Sequence, residues 1–362
     1  MNVKLHTMST SRANRALKQL CKVSSPLELS PGNYKLRKNH MVKVAQVGAG
    51  YWGKNLVRNF AELGALAAIV DPDEKQAVNL SAAFGALAMT FDAVLEDQDV
   101  SGISVATPAE THAEFALRAI AAGKHVYVEK PLALSVSDAQ SVLDAAEKAD
   151  VSVMVGHLLQ YHPVFMQVKT MVEEGVCGKV KHIYSNRMSL GKFRLKENVW
   201  WSFAPHDISM VIALAGEEPI AVSVQGGSYV TTDIADWVTA QLKFPNGINA
   251  HFNISWMHPF KEQRLTVIGD KGMLVFEDSN LEWDKKLAFY KHTIKVEEGL
   301  SPIPSKAEVE YIEVAKGEPL KNECQHFLDC IANNSQPRTN GEEGIRVLRV
   351  LELGEAALAN YL

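Results

Sequence analysis

The sequence predicts an α/β protein: a doubly wound parallel sheet in the N-terminal part, followed by an α+β domain with an open, largely antiparallel sheet. Three observations carry that prediction. From Met41 short apolar runs alternate with segments of helical period, the order of a parallel sheet with crossover helices. Val47-Gly48-Ala49-Gly50-Tyr51-Trp52-Gly53 places G-x-G-x-x-G directly after the first of those runs. After Gly156 the texture changes to longer runs with polar alternation, and Asn246-Gly247 between two of them is a type I′ hairpin signal.

Taken in order, Lys43 to Val47 reads as a strand, Trp52 to Leu63 as a helix, Ala65 to Val70 as a strand and Asp73 to Phe84 as a helix. A short strand near Leu87, a strand over Gly102 to Ala106, a helix over Thr111 to Ala122 and a strand over His125 to Val128 follow. A helix over Ser137 to Ala149 and a strand over Ser152 to Val155 complete the unit, giving a nucleotide-binding domain over residues 41–158. In the second domain, 159–362, a helix near Val164 to Glu174 precedes strand runs over Val180 to Met188, Ile220 to Tyr229, Trp237 to Phe244, Ile248 to Trp256, Arg264 to Ile268 and Met273 to Phe276. Glu323 to Asn333 and Gly341 to Tyr361 are helical by period, and these C-terminal helices are expected to pack back on the first domain.

Composition narrows the function classes. The chain of 362 residues is 47% hydrophobic and 22% charged, as in ordinary globular proteins. Its most apolar stretches, Gly64 to Val70, Ala113 to Ala122 and Val211 to Ala215, fall short of the ~20 apolar residues a bilayer requires, so no membrane span is expected. Residues 1–40 carry eight Lys or Arg against one acid, a local charge of +7, which leaves −12 on the remaining 322 residues. An acidic body excludes nucleic acid as the main ligand. The basic leader lacks an apolar core and is no secretory signal; it reads as a transit peptide, a disordered tail or an over-extended start before Met41, the last preferred. Cys21, Cys177, Cys324 and Cys330 lack metal-ligand spacing and are expected to be free thiols in a reducing cytosol, with no metal site.

The glycine motif follows a strand and opens a helix, the setting of a pyrophosphate cradle. Gly48 makes the tight turn, Gly50 lets the backbone approach the phosphates, and Gly53 lets helix and strand pack, with Tyr51 and Trp52 in the same loop. Asp71 ends the second strand 18 residues after Gly53, where a carboxylate accepts from an adenosine ribose 2′-OH; the cofactor read from this pattern is NAD. Thr107, Pro108 and His112 fall at the end of a later strand, and Glu129-Lys130-Pro131 at the end of the next, the edge where ligands collect in such sheets. A lysine there stabilises negative charge as an alcohol becomes a ketone, with Glu129 placed to hold its ammonium.

GAGYWG, ATP followed by His112, Glu129-Lys130-Pro131 and the later Ala204-Pro205-His206-Asp207 together resemble the Gfo/Idh/MocA oxidoreductase family, from Val42 to about Tyr361. The resemblance implies an N-terminal Rossmann domain that binds NAD and a C-terminal α+β domain whose open sheet forms a homo-oligomer interface, as a dimer or tetramer. It makes Lys130 and His206 the catalytic pair, with His206 taking the proton from a sugar hydroxyl while the carbon-bound hydrogen leaves as hydride. Histidine suits that task because it titrates near neutrality. Two positions depart from the family pattern. Ser202 stands where many members carry Asp, leaving Asp207 to assist or the site to work without that acid, and Gln160 stands where relatives often show Arg. Of the other histidines, His112 and His162 read either as site residues or as caps and gap-fillers, and His125 and His157 as satisfied core residues.

The substrate signal is local. Arg187 to Lys196 holds four cations, Arg187, Lys192, Arg194 and Lys196, which suit a diphosphate or form a solvated loop. Asn198 and Trp200 follow as surface for stacking, and Tyr161 and His162 precede. These segments are similar to a family branch that oxidises the 3-hydroxyl of UDP-linked N-acetylhexosamines, UDP-N-acetylglucosamine or its uronate. That likeness implies a nucleotide-sugar substrate, a cytoplasmic enzyme and hand-off of the 3-keto product to a PLP-dependent aminotransferase for lipid A or surface polysaccharide. A free polyol such as an inositol, or an NAD-sensing regulator without turnover, are the alternatives.

Overall fold

The computed structural model describes residues 41–361; the basic leader, with Cys21, lies outside the described residues. The first part runs β1 (Val44–Val47), α1 (Gly53–Glu62), β2 (Leu66–Val70), α2 (Glu74–Phe84), β3 (Leu87–Ala88), α3 (Phe91–Glu96), β4 (Gly102–Val105), α4 (His112–Ala121), β5 (His125–Glu129), α5 (Val136–Ala149) and β6 (Val153–Gly156). Caps explain several starts: Asp73 accepts from Gln76 N at 3.1 Å ahead of α2, and Ser135 accepts from Asp138 N at 3.0 Å ahead of α5. The short α3, absent from the sequence expectation, begins on a Thr90 cap and buries Phe91 and Val94.

All pairings in this sheet are parallel, in the order β3-β2-β1-β4-β5-β6. The order reverses between β1 and β4, the switch point at which α/β sheets take ligands. Because β1, β4, β5 and β6 are neighbours running one way, Gly48, Thr107, Lys130 and His157 leave the sheet along one edge.

The second part adds α6 (Pro163–Glu173), β7 (Val180–Leu190), α7 (Val199–Ala215), β8 (Ala221–Gly227), β9 (Trp237–Lys243), β10 (Asn249–Ser255), β11 (Met257–Gly269), β12 (Met273–Glu277), β13 (Leu287–Tyr290), β14 (Thr293–Lys295), β15 (Ile303–Ser305), β16 (Val309–Tyr311), α8 (Pro319–Asn333) and α9 (Gly341–Leu358). Eight strands form a sheet ordered β16-β13-β12-β11-β7-β10-β9-β8, antiparallel throughout except where β7 lies parallel to β10.

The β9–β10 connection differs from the expected type I′ turn. Phe244 N–H donates to Ile248 O at 2.9 Å and Gly247 N–H to Phe244 O at 3.1 Å, closing a three-residue loop in which Gly247 alone has positive φ, at 88°. Pro245 holds its own φ negative and leaves only the glycine for the left-handed position, so the turn is of type I with a glycine bulge.

The C-terminal helices pack against the parallel sheet's own helices, α8 on α1 and α9 on α5. Phe327 of α8 meets Phe60 and Tyr127 edge to face, with centroids 6.5 and 6.0 Å away. Between them Thr339 clips to the edge of β6: Val155 N–H donates to Thr339 O, and Thr339 Oγ1 donates to Val155 O, both at 2.7 Å. No described helix is long and apolar enough to cross a membrane.

Candidate active site

The glycine loop has the shape its sequence requires. Gly48 has φ +82°, and a Cβ there would lie 2.6 Å from Ala106 O; a Cβ on Gly53 would lie 2.1 Å from Gly48 O. Gly50 faces open space, with no neighbouring atom within 4 Å of where a Cβ would lie, as a phosphate-approaching residue should. Asp71 supports the loop directly: Oδ2 accepts from Ala49 N at 2.7 Å and Oδ1 from Asp73 N at 2.9 Å. Gln76 Nε2 also donates to Oδ2 at 3.4 Å, so Oδ1 is the oxygen that keeps a lone pair for a ribose hydroxyl. These residues fit a dinucleotide: Gly48, Gly50 and Gly53 would hold its pyrophosphate and Asp71 its adenosine ribose. Tyr51 is 96% exposed, while the Trp52 indole donates to Glu129 Oε1 at 2.5 Å.

Beside the cradle, Thr107 follows β4, and its hydroxyl accepts from Thr111 Oγ1 at 2.8 Å, with Pro108 leading into the next turn. His112 is buried under the site. Its Nδ1 lies 2.7 Å from Pro131 O and its Nε2 2.9 Å from Thr107 O, so it ties the loops after β4 and β5 together and leaves no ring nitrogen for a cofactor.

Lys130 directly follows β5, and its peptide bond to Pro131 is cis. Its ammonium is not held by Glu129; Nζ donates to Ser202 O at 3.0 Å, on α7. The Glu129 carboxylate is taken up by Trp52, by Tyr127 Oη at 3.0 Å and by the Lys130 amide at 3.3 Å. Burial lowers the Lys130 pKa, against the attraction of Glu197 and Glu129.

His206 also lies on α7, one turn after Ser202. Its pKa is pushed well down, first by burial and then by the charges of Lys130 and Arg187, so it stands neutral and ready to accept a proton. Its Nδ1 is buried with no hydrogen-bond partner among the described residues. The expected helper, Asp207, is committed elsewhere: it pairs with Arg187 through the guanidinium Nε and accepts from Ser185 Oγ at 2.6 Å. A second acid approaches from α9. Glu343 lies 2.6 Å from His157 Nδ1 and accepts from Ser209 Oγ at 2.6 Å, on the same helix as His206. His157 is buried, as expected of a core residue, but it stands at the ligand edge of the sheet, a signal its place after a strand already carried.

Several expected substrate contacts are structural. Trp200 is 0% exposed, its indole donates to Leu351 O at 3.1 Å, and a Cβ on Gly354 would sit 2.4 Å from that nitrogen; it fills the α7–α9 contact and offers no stacking face. Asn198 caps α7, accepting from Trp201 N at 3.1 Å, and donates to Glu355 at 2.8 Å. Tyr161 is 2% exposed, with its hydroxyl 2.9 Å from Thr339 Oγ1. His162 caps α6 through Val164 N at 3.2 Å, stacks on Trp283 and faces Asp278 at 3.4 Å. Arg187 sits on β7, which runs to Leu190, and is buried against Asp207 rather than free in a loop. The exposed cations are Lys192, Arg194 and Lys196; Arg194 lies 3.0 Å from Glu197, and Arg194 and Glu197 act on the charge of Lys130. No cluster of three or more His, Cys, Asp or Glu suited to a metal occurs among the described residues, and Cys177, Cys324 and Cys330 are free thiols.

A doubly wound sheet, a dinucleotide cradle and a lysine–histidine pair at its ligand edge define an NAD-dependent dehydrogenase acting on an alcohol carbon. Family models agree in both halves: an NAD-binding Rossmann oxidoreductase domain matches residues 42–157 and a GFO/IDH/MocA C-terminal domain residues 165–275. The chain belongs to the Gfo/Idh/MocA family of oxidoreductases. It is 26% identical over 317 residues to UDP-N-acetylglucosamine 3-dehydrogenase of Acidithiobacillus ferrooxidans, covering 85% of this chain and 94% of that protein. The solved structure of that enzyme superposes with a TM-score of 0.78 at 25% identity, over 88% of this chain and 98% of the other. An oxidoreductase from Magnetospirillum magnetotacticum is 30% identical with a TM-score of 0.73, over 86% and 99%. Inositol 2-dehydrogenase of Rhizobium meliloti is 23% identical over 332 residues, 88% of this chain and 97% of that protein.

Proposed function

We propose that this dehydrogenase oxidises the C3 hydroxyl of a UDP-linked N-acetylhexosamine, UDP-N-acetylglucosamine or its uronate, to the 3-keto sugar. The observation that carries the reading is Lys130 bound to the helix of His206, its Nζ donating to Ser202 O one turn before that histidine, next to a loop bearing the exposed Lys192, Arg194 and Lys196. The likeness to the A. ferrooxidans enzyme over nearly its whole length supports the substrate class.

Bound NAD supplies the acceptor for the hydrogen leaving C3. The chain's own residues do the rest. The His206 imidazole takes the hydroxyl proton. Lys130, anchored by Ser202 O, donates to the same oxygen and stabilises the charge that develops on it. A proton arriving on His206 adds positive charge beside Lys130 and Arg187; the Asp207 carboxylate, paired with Arg187, offsets part of it. Arg194 and Lys192 bind the diphosphate from the solvent side. A 3-keto amino sugar is the substrate a PLP-dependent aminotransferase requires, which places the product ahead of such a step in lipid A or surface-polysaccharide synthesis, and we propose that the enzyme works as a homo-oligomer.

Likeness to an inositol 2-dehydrogenase favours a second reading, oxidation of a free polyol. NAD reduction followed by absorbance over UDP-N-acetylglucosamine, its uronate and myo-inositol separates them. The proposal expects turnover with a UDP sugar, amplified when an aminotransferase drains the ketone. Turnover with myo-inositol and none with either UDP sugar overturns it.

A further inference from the structure

Beneath Lys130 lies a closed polar cluster whose hydrogen-bond count does not balance unless one acid keeps its proton. Tyr127 of β5 and Glu323 of α8 are both 0% exposed, and Glu129 is nearly as buried. Tyr127 Oη is 3.0 Å from Glu129 Oε1 and 3.1 Å from Glu323 Oε2. A phenol has one O–H and donates to one acceptor at a time, so the second of these oxygen–oxygen contacts needs a proton of its own. With both acids ionised, two carboxylates would confront one hydroxyl away from water, a costly arrangement.

The surroundings decide which acid holds the proton. Glu129 receives three donors, the Trp52 indole, the Tyr127 hydroxyl and the Lys130 amide, and an ionised, acceptor-only carboxylate meets all of them. Glu323 meets only Tyr127; its Oε1 is buried with no partner among the described residues. Burial and the nearby charges of Glu129 and Glu343 push the Glu323 carboxyl well above its usual range. The cluster has no slack on its open side. A Cβ on Gly156 would lie 2.8 Å from Tyr127 Oη and 2.9 Å from Glu129 Oε2, so only glycine fits at that end of β6.

We propose that Glu323 is a neutral carboxylic acid that donates to Tyr127, and that the chain Glu323–Tyr127–Glu129 is a positioning element that holds the Trp52 side chain of the glycine loop and the Lys130 backbone. Each proton in the resting chain has one owner: Glu323 donates to Tyr127, Tyr127 donates to Glu129, and Glu129 stays ionised. The C-terminal helix α8 thereby reaches under the cofactor cradle. The effect on NAD binding rests on the NAD-dependent reading of the site, whereas the protonation claim does not.

Infrared difference spectroscopy of the full chain without cofactor tests the protonation directly. The wild-type protein near neutral pH should show the carbonyl stretch of a neutral carboxylic acid, absent from Glu323→Gln and retained in Glu129→Gln. A wild-type spectrum without that band, or a band that survives Glu323→Gln, overturns the proposal. Titration with NAD tests the positioning. Glu323→Leu, which leaves Tyr127 without its donor, should weaken NAD binding by up to about tenfold, and Glu323→Gln, whose amide still donates, should recover most of it. Equal losses in the two variants would make Glu323 a packing residue only. If Glu323→Leu does not fold, the spectrum of Glu323→Gln still decides. Failure to turn over any UDP sugar leaves the infrared result untouched.

Discussion

Asp207→Asn separates a structural Arg187 from a substrate-binding one. The variant keeps the shape of the side chain and removes its charge. Arg187 and Asp207 are 8% and 2% exposed, so the guanidinium loses its counter-ion in a place water does not reach. Breaking a buried ion pair from one side costs roughly 3–5 kcal/mol. The asparagine oxygen still accepts one N–H, which puts the expected loss near the lower bound, about 3 kcal/mol. Urea unfolding with an unchanged slope should register it as a shifted midpoint. Replacing both partners, Arg187→Met with Asp207→Leu, should recover part of the loss, because neither charge is then left unpaired while the buried Ser185 hydroxyl loses its acceptor. A loss below about 1 kcal/mol, the range of solvent-exposed pairs, would refute the reasoning and return Arg187 to the set of free cations.

The remaining predictions concern the site. The acid limb of kcat/KM against pH should fall below about 6.5, the ordinary histidine value, because burial with Lys130 and Arg187 lowers the His206 pKa and keeps it unprotonated as pH drops; a limb above that value contradicts the assignment. Gly53→Ala, whose methyl would meet Gly48 O at 2.1 Å, should weaken NAD binding by tenfold or more, about 1.4 kcal/mol, in a fluorescence titration, and an unchanged Kd would refute the cradle. Arg194→Gln should raise KM for a UDP sugar about tenfold, the order of one charge-assisted hydrogen bond, and leave the Kd for NAD unchanged; an unaltered KM would remove the loop from the substrate site.

The parallel sheet was legible because its signals are local: a glycine loop after a strand, apolar runs of strand length, and segments of helical period between them. Lys130 and the cradle followed from position at strand ends. The helix bearing His206 was not legible as an element. Thirteen residues of α7 are buried, so it lacks the polar stripe that betrays an amphipathic helix, and Pro205 interrupts it. His206 was reached through family likeness, not through period. The substrate residues show the reverse failing. Tyr161, His162, Asn198 and Trp200 have the chemistry of ligand contacts, but caps and buried indoles use the same groups, and only distant partners such as Leu351 and Thr339 reveal which use applies. Glu323 and Glu343 were invisible for the same reason: each sits on a C-terminal helix and gains its meaning from strand ends far away in sequence.

The central claim, that Lys130 and His206 perform the chemistry at the edge of an NAD cradle, is tested most directly by measuring NAD binding and NAD reduction on the same samples of Lys130→Ala and His206→Ala, with UDP-N-acetylglucosamine as substrate. Both variants should bind NAD with near wild-type affinity and lose turnover by at least about two orders of magnitude, the range of general acid–base and electrostatic contributions. Turnover that persists in either variant, or NAD binding lost in both, contradicts the account.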